Sequence, residues 1–285
     1  MTGDVRIEYR GRGVGFGLDS SGNFLAFPTF ESSTPANQKR QYEPLVEIGQ
    51  IERMRDGRFI PGVYVNPTAE AIAAGVTPNN THHYPVILID GFDISLSNGV
   101  QTPKVLARCG AYHKRNDIVK GMKWVCQTHP YEDDESVLNR GTPEEITIMN
   151  NTPRINGHSK FGGQKNVLAG SYTFDTDENI VGVWPVELLE NGKGKMITTY
   201  DGKPTTREER LSPTFWDLRN SKLPDNPIRD VKIVGETTYD ICKNIFGTMK
   251  PAYAVSAAVA RHVDDQWELQ VINANGIEKS AVVKI

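Results

Sequence analysis

The chain has 285 residues, 38% of them hydrophobic and 24% charged, with a formal net charge of −3. That length suits one large domain or two modest ones, and the charge excludes an electrostatic drive toward nucleic acid or an anionic membrane. The opening MTGDVRIEYRGRG carries charge where a signal peptide needs an apolar stretch, and no apolar run approaches the ~18 residues of a membrane span, so a cytoplasmic protein is expected.

The first patterned segment is YRGRGVGFGLD, where Gly11, Gly13, Gly15 and Gly17 alternate with Arg12, Val14 and Phe16. A side-chain period of two predicts a strand with one bare face. Gly-x-Gly-x-x-Gly is met in no register, so a dinucleotide loop is not indicated. SSGNFLAFPTF adds a turn and a second strand, giving a hairpin expected at a sheet edge, with backbone close to a neighbour or ligand. Residues 31–60 are polar and irregular. YPVILI and FDISLS then form two strands around Asp90-Gly91, a dipeptide favoured in type I′ hairpin turns. TPKVLARCG predicts a helix capped by Thr102 with Pro103 in its first turn. In NDIVKGMKWVCQ, Ile118, Met122, Val125 and Cys126 recur at helical spacing.

Residues 127–160 look loop-like. Strand patterns return in NVLAGSYTF and NIVGVWPVELL, before the turn-rich NGKGKMITTYDGKPTTREERLSP. TTYDICKNIF (237–246) predicts a helix. AYAVSAAVARH, WELQVINA and IEKSAVVKI predict three strands, the last two joined at Asn275-Gly276. Strands at both ends with helices between them indicate one α+β domain. Cys109, Cys126 and Cys242 are odd in number and widely spaced, which suits buried thiols rather than a disulfide framework or a metal pair. The six histidines lack ligand spacing, so no metal is expected.

Four polar clusters stand out: NQKR (37–40) with Arg12 nearby, Tyr84 after HHYP, SNGVQT (97–102), and YEDDE (131–135) with NTPRI (151–155). Each has a plain reading, respectively a solvated loop, a strand aromatic, a turn with a cap, and an acidic surface. Arg154 is the exception. Pro153 stiffens the segment that presents it, and stiff presentation suits bidentate binding of phosphate or carboxylate.

Taken together and in order, GRGVGFG…GNFLAF, SNGVQT, YEDDE and NTPRI resemble the archaeal-type IMP cyclohydrolase family, and ITTYD and AVSAAVA extend the likeness over roughly residues 9–272. The resemblance implies an α+β, four-layer αββα sandwich like that of N-terminal-nucleophile hydrolases. A single domain would span residues 1–285, with insertions near 40–80, 136–150 and 200–230. It further implies closure of 5-formamidoimidazole-4-carboxamide ribonucleotide to IMP with loss of water, a step of purine biosynthesis. That reaction needs neither cofactor nor metal, and the partners implied are a purine nucleotide and further copies of the chain, as a homo-oligomer.

By positional match, Tyr84 donates or relays a proton at the ring-closing centre and Glu132 orients or deprotonates the carboxamide. Arg40, with Lys39 as the competing register, contacts the formyl or phosphate end. Arg12, Asn98, Thr102 and Asn151 shape or contact the pocket, and Arg154 grips the nucleotide. Two departures matter: ESSTPANQKR lacks a Ser-Arg-Ser-like element, and the gap between YEDDE and NTPRI is lengthened. They leave two alternatives, a diverged nucleotide-binding protein without catalysis and an amidohydrolase using Thr2 after loss of Met1.

Overall fold

A computed structural model describes residues 7–8, 10–32, 38–46, 60–75, 84–97, 102–113, 118–128, 154–160, 166–173, 179–186, 189–199, 204–205 and 228–285. In chain order the first elements are β1 (Ile7–Glu8), β2 (Arg12–Leu18), β3 (Phe24–Glu31), β4 (Arg40–Leu45), β5 (Gly62–Pro67) and α1 (Ala69–Ala73). Next come β6 (Tyr84–Asp90), β7 (Asp93–Ser97), α2 (Thr102–His113), α3 (Ile118–Thr128), β8 (Arg154–Lys160), β9 (Asn166–Thr173) and β10 (Asn179–Val186). The last are β11 (Lys193–Thr198), β12 (Pro204–Thr205), β13 (Arg229–Lys232), α4 (Thr238–Gly247), β14 (Ala254–Val263), β15 (Gln266–Asn273) and β16 (Glu278–Lys284).

Two seven-stranded antiparallel sheets dominate, ordered β13-β11-β2-β3-β14-β15-β16 and β10-β9-β8-β7-β6-β5-β4, while β1 and β12 pair separately. The two large sheets share one core. Phe16, Phe24, Phe30, Ala258, Trp267 and Leu269 of the first meet Tyr42, Val63, Val86, Ile94, Leu96 and Leu168 of the second. Alternation sends the intervening residues to the opposite faces, where helices cover them. On the first sheet, Leu25, Phe27 and Val259 pack against Ile241, Cys242 and Ile245 of α4. On the second, Val167 and Ala169 pack against Val105 and Cys109 of α2 and Met122 and Val125 of α3. All three cysteines are buried thiols. Among the described residues, no helix is long and apolar enough to cross a membrane.

Local chemistry explains the element ends that the sequence marks. Thr237 caps α4 by accepting the Asp240 N–H at 3.1 Å, and the Asp240 carboxylate accepts the Thr237 N–H at 3.2 Å, a reciprocal capping box. The β6–β7 loop is centred on Gly91-Phe92 rather than Asp90-Gly91. Gly91 alone takes a positive φ of 61°, the pattern of a type II′ turn instead of the expected I′. Asp264 and Asp265 join β14 to β15 with φ of 45° and 60°, the two positive values a type I′ loop requires.

Several expectations need correction. The glycine strand β2 is not at an edge, since β11 and β3 flank it. Its bare face receives neighbouring side chains, as a close backbone approach requires: a Cβ on Gly15 would stand 2.5 Å from the Phe27 ring. The irregular stretch 31–60 contains β4. The loop-like stretch 127–160 ends in β8, an interior strand whose polar Asn156, His158 and Ser159 are all buried. The turn-rich stretch contains β11, where Lys193 and Lys195 alternate with Gly194 and the buried Met196. Residues 136–150 lie outside the described residues, as does most of 200–230.

Candidate functional site

The antiparallel ladders bring the starts of β4, β6 and β8 to one end of their sheet, and the start of β2 meets them there from the other. Tyr42, Val65 and Tyr84 form one cross-strand row on the inner face of the second sheet. Opposite them, Arg12 and Phe30 form a cross-strand pair on the first sheet. The Arg12 guanidinium lies 4.6 Å from the Phe30 ring centroid and 5.7 Å from that of Tyr84. Phe30 and Tyr42 stack with centroids 6.2 Å apart at 27°.

Tyr84 is only 4% exposed, and among the described residues its hydroxyl finds no hydrogen-bond partner. A buried hydroxyl without a partner costs stability. Burial pushes the neighbouring Tyr42 phenol well above its ordinary value, with Tyr84 adding to the effect and Arg12 opposing it. Tyr42 therefore stays protonated.

The backbone of Arg12 is clamped by Thr199. Arg12 N–H donates to the threonine Oγ1 at 3.0 Å, and that hydroxyl donates to Arg12 C=O at 2.9 Å. ITTYD thus reaches the site through Thr199, which holds the first residue of β2 in place. Arg40 opens β4 and is half-buried, two residues before Tyr42 and hence on the same strand face. Lys39, its competitor in register, is exposed in the preceding turn, where its C=O accepts the Thr68 N–H at 2.8 Å.

Thr102 is fully buried at the start of α2 and donates to Pro85 C=O at 2.6 Å, while Ser97 Oγ lies 2.6 Å from the same hydroxyl. With the Thr102 proton committed to the carbonyl, Ser97 is the donor of the second bond. The pair pins α2 to the strand that begins with Tyr84, so Thr102 shapes the site from behind. Arg154 is the first residue of β8, opposite Ser171, and Pro153, expected to stiffen its presentation, lies outside the described residues. Glu132, Asn98, Asn151 and Thr2 lie outside the described residues.

The structure therefore brings Arg12, Arg40, Tyr84 and Thr102 to one end of the paired sheets and adds Phe30, Tyr42 and Thr199, which sequence reasoning missed. Tyr42 had a signal: it follows Arg40 by two residues, the spacing of a shared strand face. The Arg12 guanidinium beside the Tyr84 ring, with Arg40 on the same strand face as Tyr42, puts cationic and phenolic residue types at this end of the sheets. No cluster of three or more metal-ligating side chains occurs among the described residues.

No family model matches the chain, and no curated protein sequence matches it. Among solved structures, it is similar to a Caenorhabditis elegans N-acylethanolamine-hydrolyzing acid amidase ortholog at 11% identity, with 87% of this chain and 92% of that one covered. The TM-score is 0.32, a degree of likeness that carries no weight for fold or function.

Proposed function

We propose that this end of the paired sheets binds a phosphorylated imidazole carboxamide nucleotide and closes its ring to IMP. In this reading the paired sheets and their flanking helices constitute the αββα sandwich that the family resemblance implies. The supporting observation is the buried Tyr84 hydroxyl, whose ring lies against Arg12.

Ring closure joins the carboxamide nitrogen to a formyl carbon of the same molecule and expels the formyl oxygen as water. Holding the two groups in contact supplies much of the acceleration. The Tyr84 hydroxyl would donate to the formyl oxygen as negative charge develops there, and a preorganised donor in a dry site stabilises such charge strongly. The Tyr42 phenol, held protonated, would add a second neutral hydrogen-bonding group. Arg12 would present the N–H edge of its guanidinium to the phosphate, because aromatic rings occupy its faces. Arg40 would contact the same end. Glu132 enters as base by its place in the YEDDE motif.

The test is to mix the purified protein with the formamido nucleotide and follow IMP formation by ultraviolet absorbance, with Tyr84→Phe alongside. Turnover is expected in the wild type and should fall by roughly 10²–10³ in Tyr84→Phe, as for loss of an oxyanion donor. Absence of turnover in folded wild-type protein would overturn the catalytic reading, and IMP-induced thermal stabilisation without turnover would leave a binding protein.

A further inference from the structure

Resting on that reading of the site, we propose that Asn273 is a positioning residue, one that sets the Tyr42 phenol against Tyr84 and Arg12. β4 is the last strand of its sheet, so the backbone groups of Tyr42 that turn away from β5 meet no further strand. Asn273, the last residue of β15 in the other sheet, takes their place. Its Oδ1 accepts the Tyr42 N–H at 2.8 Å and its Nδ2 donates to Tyr42 C=O at 3.1 Å. One side-chain amide thus reproduces the donor–acceptor pair of a neighbouring strand.

The orientation of that amide is determined by its surroundings. Ser256 Oγ donates to Oδ1 at 2.5 Å, and Nδ2 also donates to Ile277 C=O at 3.1 Å. Rotating the amide by half a turn would set donors against the Tyr42 N–H and oxygen against two carbonyls. Tyr42, Ser256 and Asn273 are all buried, so water does not substitute for any of these bonds.

Two neighbours of Tyr42 are also held from the first sheet. Asn275 Nδ2 donates to Gln41 Oε1 at 3.0 Å, and Lys279 pairs with Glu43. Those contacts join side chains to side chains. Asn273 holds the backbone of the residue whose ring faces the site, and a small rotation there moves the phenol farther than the backbone.

The test uses two variants of the whole protein and one label. Asn273→Asp keeps the side-chain size and the acceptor for Tyr42 N–H but replaces the donor to Tyr42 C=O with an oxygen. Asn275→Ala removes a neighbouring tie and leaves the backbone of Tyr42 held. Both are first checked for folding by circular dichroism. In protein labelled with 3-fluorotyrosine, the Tyr42 fluorine resonance is assigned by its disappearance in Tyr42→Phe. It should shift or broaden in Asn273→Asp and keep its place in Asn275→Ala. In parallel, IMP affinity measured by calorimetry should fall about tenfold in Asn273→Asp and stay within about twofold in Asn275→Ala, the scale of one buried hydrogen bond.

An unchanged Tyr42 resonance in Asn273→Asp would overturn the proposal, as would an equal change in both variants. If the wild type binds no IMP while the resonance moves only in Asn273→Asp, the nucleotide reading fails and the positioning role stands.

Discussion

Ser95 Oγ stands 2.6 Å from Nδ1 of His158, directly across the β7–β8 ladder. The other ring nitrogen lies 3.2 Å from Asp93 Oδ1. The carboxylate accepts from Nε2–H, so Nδ1 is the acceptor and Ser95 donates to it. These three residue types form nucleophilic sites in many hydrolases. Here Ser95 and His158 are fully buried, on the face opposite Ile94 and Leu96, where α2 packs. The chain of bonds joins two strands in the interior. Ser95→Ala should therefore destabilise the fold by about 1–3 kcal/mol, the cost of withdrawing a partner from a buried polar group. Urea unfolding measures it, and nucleotide affinity in the folded variant should match the wild type.

At the β2–β3 hairpin, the Asp19 carboxylate accepts bonds from Ser21 N–H and Asn23 N–H, each at 2.8 Å, and from Arg261 Nε at 2.7 Å. Burial alone raises its pKa, but the Asn23 side chain and backbone and then Arg261 outweigh burial and leave it below 3.8. A carboxyl depressed on folding contributes stability above its unfolded pKa and loses it as pH falls through the folded value. Asp19→Asn removes the nearer carboxylate from the largely buried Arg261, leaving Glu268 at 3.9 Å, and should cost roughly 1–3 kcal/mol at pH 7. The gap between wild type and Asp19→Asn in urea midpoint should narrow once pH drops below 3.8, the unfolded reference value.

Gly15→Ala should destabilise through overpacking. Its Cβ would sit 2.5 Å from the Phe27 ring and 2.7 Å from Lys195 C=O, and the backbone cannot withdraw without breaking a ladder. A loss of about 1–3 kcal/mol is expected in chemical denaturation. Phe27→Leu in the same chain should recover part of it, because the ring contact is relieved while the carbonyl contact remains.

Tyr84→Phe should separate stability from function. Among the described residues nothing accepts or donates to that hydroxyl, so its removal should leave the melting temperature unchanged or slightly higher. The IMP-dependent rise in melting temperature should shrink in the same variant. Thermal melts with and without IMP decide both points, and a large drop in the ligand-free melting temperature would contradict this account.

Where short-range pattern decides the structure, the sequence sufficed. Alternation marked β2, apolar runs bounded by turn residues marked β3, β6, β7 and the three closing strands, and the 3.6-residue period marked α3. TTYDICKNIF predicts a helix, and the structure shows its start held by Thr237 and Asp240 through chemistry confined to four residues. The clusters holding Arg12, Arg40, Tyr84 and Thr102 also stood out in the sequence, and the structure places the four residues at or near element ends.

Only tertiary structure decided the rest. RQYEPL, RINGHSK and KGKMIT carry weak strand patterns, yet they become β4, β8 and β11 because partners far away in the chain complete their ladders. His158 reads as a polar residue of a loop until Ser95 and Asp93, more than sixty positions earlier, take up both ring nitrogens. Tyr42 reads as an ordinary aromatic until Asn273, 231 residues on, clamps its backbone between two sheets. A strand's hydrogen bonds and a buried polar group's partners are non-local, so their identity is absent from any window of sequence and appears only when the sheets close on one another.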